Sequence, residues 1–203
     1  MKTVFENISA RYKKTDDIFF DIINFLKEYG QNKTIEHSLD VAEKGIELAS
    51  IFQEDKHKIK LASYLHDISV IIPNNKKIEF AKALEIEIIE EEKIFPMIIH
   101  QKISKEIAQK IFKINGIEIL NAIECHTTLK ANPSKLDMIL FMADKIKWDQ
   151  EGDPPYLTII ESNLKISLEN GVKAFVNYLM ENRNKLKVIH PLLIDAYNYF
   201  RNK

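Results

Sequence analysis

The chain is short of the residues that make crosslinks, tight turns and planar anion clamps. A single cysteine, Cys125, occurs in 203 residues, which excludes an internal disulfide and the crosslinked frameworks of small secreted domains. Five glycines and six prolines leave too few turn formers for many short strands joined by hairpins. An excess of one charge is also missing: 29 basic against 30 acidic side chains give a net charge of -1, so nothing draws the chain to nucleic acid or an anionic membrane. No apolar run approaches the length of a membrane span, and no basic-then-apolar N-terminal segment reads as a secretory signal. The expectation is a cytoplasmic protein with no nucleic-acid and no membrane partner. Arginine is scarce as well. With Arg11, Arg183 and Arg201 as its only arginines, the interior of the sequence carries positive charge on lysine, a point charge and not a bidentate fork.

What is present is an ordinary globular balance, 45% hydrophobic and 29% charged, with apolar residues at helical spacing. The reading is all-α: a single helical bundle over residues 1–203, with a lead-in at 1–14 that is basic around Arg11, Lys13 and Lys14. Thr15 or Asp16 caps a first helix, whose stripe includes Ile18, Phe19, Ile22, Phe25 and Leu26. A second opens at Asn32 or Thr34. A third follows Asp55 and runs through His66 and Asp67 to the turn at Pro73. A short helix spans 78–84, and the acidic run from Glu85 to Glu92 reads as a solvated face. Helices at 97–114, 117–127 and 136–146 complete a core unit at 33–150. Beyond Gly152-Asp153-Pro154-Pro155, the strongest turn signal, the spacing predicts one long helix over 156–181 and a last helix after His190-Pro191.

Against this background a few residues are out of place. In Leu65-His66-Asp67-Ile68 a histidine and an aspartate stand side by side in an apolar run, where a carboxylate needs a compensating charge or hydrogen bond. An isolated doublet is read as a buried histidine bonded to its neighbour. Here it has company, because His37, His100, His126 and Asp144 also fall at inner positions of separate helices. Helix bundles build metal sites from inward side chains of this kind, and a carboxylate has two oxygens with which to bridge two ions. His57, in a polar run, reads as exposed, His190 as a turn residue, and Cys125 as a buried free thiol.

The order of these residues resembles that of the HD-domain metal-dependent phosphohydrolases: His37 on one helix, His66-Asp67 on a later one, Asp144 further on, with His100 and His126 between as in two-metal members. More narrowly, Glu36-His37-Ser38-Leu39, Leu65-His66-Asp67-Ile68, Cys125-His126-Thr127-Thr128, Ala143-Asp144 and His190-Pro191 are similar to the YqeK-type symmetrical dinucleoside tetraphosphatases. The resemblance covers about residues 33 to 195. It implies an HD-domain helical bundle, with His37, His66, Asp67 and Asp144 on one metal and His100, His126 and a bridging Asp67 oxygen on a second. Asp67 and His66 are the catalytic pair. The implied cofactor is iron, with manganese or zinc as alternatives. The implied reaction is attack of a di-metal-activated hydroxide on diadenosine tetraphosphate to give two ADP; the alternatives are another nucleotide substrate or a non-catalytic nucleotide- or partner-binding bundle. Thr127, Thr128, Lys130 and Lys145 are the candidate phosphate contacts. A homodimer is compatible with the sequence. Where such relatives have an arginine before the first histidine, a glycine after His-Thr-Thr, and an acid, a proline and an arginine after Ala-Asp, this chain has Thr34, Leu129 and Lys147-Trp148-Asp149-Gln150. Those departures lie on the substrate side and leave the metal-ligating positions unchanged.

Overall fold

The computed structural model describes residues 12–202 together with Glu6, Ile8 and Ala10. Among these the chain forms eleven α-helices and four short 3-10 turns, with no strand. The helices are α1 (Ile18–Glu28), α2 (Asn32–Phe52), α3 (Lys56–Leu65), α4 (Lys77–Ala83), α5 (Glu90–Ile94), α6 (His100–Lys110), α7 (Ile117–Cys125), α8 (Lys135–Ile146), α9 (Leu157–Leu164), α10 (Leu168–Glu181) and α11 (Pro191–Arg201). None is long and apolar enough to cross a membrane.

Helix α8 occupies the middle. Eight consecutive positions from Leu136 to Ala143, all apolar except Asp137, are buried, because α2, α3, α7 and α10 pack on it from different sides. A helix that is apolar all round belongs in such a place. Helices α2 and α3 approach closely where Gly45 meets Ile59. A Cβ at position 45 would lie 2.9 Å from Ile59 Cγ1 and 3.3 Å from Ser63 Oγ. Ile59 is fully buried and has nowhere to go. Gly45→Ala is expected to cost about 1–3 kcal/mol through overpacking, read from urea midpoints; an unchanged midpoint would show slack in this contact.

Several local expectations are corrected. Asp17, not Thr15 or Asp16, caps α1 by accepting the Phe19 and Phe20 N–H groups, while the Thr15 hydroxyl donates to buried Asp21 at 2.8 Å. The third helix stops at Leu65, so the His-Asp doublet follows the helix instead of lying inside it, and a 3-10 turn covers Ile68–Ile71. The helix expected over 97–114 starts as a 3-10 turn at Pro96–Ile99 and becomes α-helical only at His100. The long helix expected over 156–181 is two helices, because Ser167 caps α10 by accepting from the Asn170 N–H and Leu164 folds over Gly171. Ile166 between them is 71% exposed and takes no part in the apolar face. The acidic run does not end in solvent: Glu92 is fully buried. His190 is more than a turn residue, being buried and capping α11 through Nδ1, which accepts the Leu192 N–H. Lys13, Lys14 and His57 are exposed and Cys125 is buried; Arg11 lies outside the described residues.

Candidate metal centre

The six singled-out residues meet at the end of the bundle where several helices stop. His66 and His126 are the C-terminal caps of α3 and α7, His100 opens α6, Asp144 sits in the last turn of α8, and His37 faces them from within α2. The last carbonyls of a helix lack partners in their own helix. His66 and His126 use them in the same way, with Nδ1 of His66 bonding Ser63 O at 2.7 Å and Nδ1 of His126 bonding Ile123 O at 2.8 Å; His100 repeats the i−3 bond from the 3-10 turn before α6, its Nδ1 bonding Met97 O at 2.8 Å.

A carbonyl oxygen only accepts, so each of these Nδ1 atoms carries the hydrogen, and in the neutral ring each Nε2 presents a bare lone pair. Those lone pairs converge. His100 Nε2 is 2.9 Å from His126 Nε2, and His66 Nε2 is 3.3 Å from His37 Nε2. His37 Nε2 is also 3.1 Å from Asp144 Oδ1. The Asp67 carboxylate lies between the two pairs: Oδ1 is 3.2 Å from His100 Nε2 and 3.4 Å from His126 Nε2, and Oδ2 is 3.6 Å from His66 Nε2. Acceptor atoms facing one another at these distances repel unless positive charge stands among them. Ligands at about 2.1 Å from a common ion are themselves about 3.0–3.4 Å apart, so the spacing fits a shared cation.

Protonation alone supplies that charge poorly. Burial pushes His66 down, but Asp67 and Asp144 outweigh it and hold its pKa up at about 9. His126 is pushed down to about 4, by burial first and by the charges of His100 and His66. Burial works to raise the carboxyls of Asp67 and Asp144, yet neighbouring positive charge and hydrogen bonds keep both well below the usual carboxylate range. Protonation is therefore favoured at His66 and disfavoured at His126. Two groups, His37-His66-Asp67 and Asp67-His100-His126, have donor atoms close enough to hold a metal ion each. The donor set, imidazole and carboxylate with no thiolate, suits iron, manganese or zinc. Helix C-termini add their own negative dipole ends.

The cluster opens into a cavity of about 410 Å³, lined also by Thr34, Asn74, Lys77, Met97, Thr127, Lys145, Trp148 and Tyr156. Of the four candidate phosphate contacts, Thr127 and Lys145 line it. Thr128 and Lys130 are outside its lining: Thr128 is buried and bonded to Gln101 and to Leu129 O, and Lys130 pairs with buried Asp137 at 2.9 Å. Lys145 is committed to Asp144 Oδ2 at 2.6 Å. Sequence reasoning missed Lys77. This lysine is 2% exposed and donates to Ser69 O at 3.0 Å; burial lowers its pKa to about 8 against the pull of Asp67. The available signal was its place four residues before Ala81, on the inner face of α4.

Comparison with known proteins gives the family and the fold. Residues 34–149 match the HD domain family. An uncharacterized protein in the pepC 5' region of Lactococcus lactis subsp. cremoris is 40% identical over 148 residues, 73% of this chain and 75% of that protein. A protein of Staphylococcus aureus named symmetrical bis(5'-nucleosyl)-tetraphosphatase is 32% identical over 60% of this chain and 62% of its own length. The crystal structure of a predicted HD superfamily hydrolase involved in NAD metabolism from Clostridium acetobutylicum superposes with a TM-score of 0.82 at 26% identity, covering 91% of this chain and 97% of that one.

Proposed function

The chain belongs to the HD-domain family of phosphohydrolases, and from that premise we propose that it hydrolyses diadenosine tetraphosphate symmetrically to two ADP at a di-metal centre. The observation that carries the proposal is the Asp67 carboxylate, with one oxygen toward each histidine pair. His37, His66, Asp67 and Asp144 would hold one ion, and Asp67, His100 and His126 the other, with iron as the metal. Such ions neutralise charge on phosphoryl oxygens and acidify water so that it can attack in line.

The protein's own groups do the positioning. Backbone carbonyls of Ser63, Met97 and Ile123 fix three imidazoles in the tautomer that presents Nε2. Lys145 binds the outer oxygen of Asp144, leaving Oδ1 for the centre. The Thr127 hydroxyl, 3.2 Å from His100 Nε2, is placed to donate to a phosphate oxygen. Trp148 and Tyr156 give the cavity an aromatic wall suited to a nucleobase. Residues 1–203 act as one unit in this reading, since α8 both carries Asp144 and packs on α10.

A second reading keeps the chemistry and changes the nucleotide. It is favoured by a cavity lining that, among the described residues, holds lysines and Asp149 but no arginine. Protein loaded anaerobically with ferrous iron should release only ADP from diadenosine tetraphosphate. Release of ATP with AMP, or turnover confined to another nucleotide in a parallel panel, would replace the substrate. Metal binding with no turnover on any phosphate ester would replace the enzyme by a binding protein.

A further inference from the structure

Lys77 is the first residue of α4, and its ammonium is drawn inward to Ser69 O at 3.0 Å. The carbonyl is held in place. Ser69 Oγ donates to His100 O at 2.9 Å, and Ser104 Oγ donates to Ser69 Oγ at 2.9 Å, so the turn bearing Ser69 is tied to the helix that presents His100. An ammonium has three hydrogens to donate. Among the described residues Lys77 uses one of them, on a neutral carbonyl, and it forms no ion pair. The other lysine of the cavity differs, since Lys145 has Asp144.

A buried cation with no carboxylate in hydrogen-bonding contact is costly. Lys77 lines the same cavity as Asp67, His100 and Thr127, so an anion in that cavity would be its missing partner. Resting on the reading above that the cavity takes a phosphate chain, we propose that Lys77 is the substrate-binding cation of the site and donates a charge-assisted hydrogen bond to a non-bridging phosphate oxygen of the nucleotide. It stands in for the arginines absent from the interior of the sequence. Unlike an arginine fork, it binds one oxygen as a point charge and leaves the phosphate free to turn toward the metal side.

The test compares metal-loaded wild type with Lys77→Met and Lys77→Gln, the second of which keeps a donor for Ser69 O if the first fails to fold. ADP binding by calorimetry should weaken at least about tenfold and KM for the dinucleotide should rise, with metal content unchanged. The urea midpoint should hold or rise, because an unpaired buried charge is gone. A lysine that serves only to brace Ser69 would lower the midpoint and leave ADP affinity alone, and that result overturns the assignment. If the wild type binds or cleaves the nucleotide and both variants match it, Lys77 is excluded while the site reading stands. If the wild type neither binds ADP nor cleaves any nucleotide, the site reading falls and this assignment falls with it.

Discussion

The Asp67→Asn protein is expected to keep its helical fold and lose metal and hydrolysis together, with kcat/KM down on the order of 10³-fold. Both carboxylate oxygens are engaged, Oδ1 toward His100 and His126 and Oδ2 toward His66. An amide removes the negative charge from both sides at once and points an N–H₂ group at lone pairs on one of them. No rotation of the amide repairs both sides, because it has a single carbonyl oxygen. Asp144→Asn should be milder in metal loss, since Asp144 faces only the His37 and His66 pair. Elemental analysis beside circular dichroism decides between outcomes. Wild-type metal content in Asp67→Asn would end the bridging role, and a collapsed spectrum would make the residue structural.

How far the sequence leads is shown by these same residues. His37, His66, Asp67, His100, His126 and Asp144 are legible because a histidine or aspartate at an inner helical position conflicts with its apolar neighbours, and the conflict is local. What converges is not local. That three imidazoles would use carbonyls three residues back, and so aim three lone pairs at two points, depends on where α3, α6 and α7 end, and those ends were placed wrongly for α3 and α6. Lys77 and Thr128 show the same dependence on packing. Lys77 stands beside exposed Lys76, yet α4 turns it inward; Thr128, two residues after His126, is turned into a hydrogen bond with Gln101.

The helices themselves were readable wherever apolar spacing coincided with a cap, as at Asp55, which accepts the His57 and Lys58 N–H groups. They were misread where spacing ran on without punctuation. Between α9 and α10 the apolar rhythm passes through Ile166 without a glycine or proline, and only the Ser167 side chain, bonded to the Asn170 N–H, marks the break. A serine inside an apolar pattern is a weak signal until its geometry is seen.

The acidic run produced the largest misreading in energetic terms. Glu92→Ala is expected to cost about 3–5 kcal/mol, the range for stranding the partners of a buried charge. Its carboxylate is fully buried; Oε2 accepts from Lys102 Nζ at 3.1 Å and from the Ile89 N–H at 3.0 Å, and Lys102 Nζ lies 2.8 Å from Oε1 as its counter-ion. His190 Nε2 lies 3.5 Å from Oε1, and His190 caps α11. One carboxylate therefore ties α5 to α6 and to the start of α11, and α6 is the helix that presents His100. Removing it leaves the mostly buried Lys102 ammonium with the Glu87 carbonyl, at 3.0 Å, in place of a counter-ion, and takes the Glu92 acceptor from the Ile89 N–H. The pH dependence has a definite sign. Burial works to raise the Glu92 carboxyl, but His190, Lys102 and the Ile89 N–H outweigh it and hold it below its ordinary value. A carboxyl lowered on folding stabilises fully above the unfolded value, about 4.3, and that contribution is lost as pH falls through the lowered one. Urea titrations of wild type and Glu92→Gln, which keeps the shape and drops the charge, should differ at pH 7, and the gap should close progressively as pH falls below the unfolded glutamate value. Equal midpoints at pH 7 would show that the charge contributes nothing to the fold, and a gap that persists unchanged into acid would assign the loss to packing.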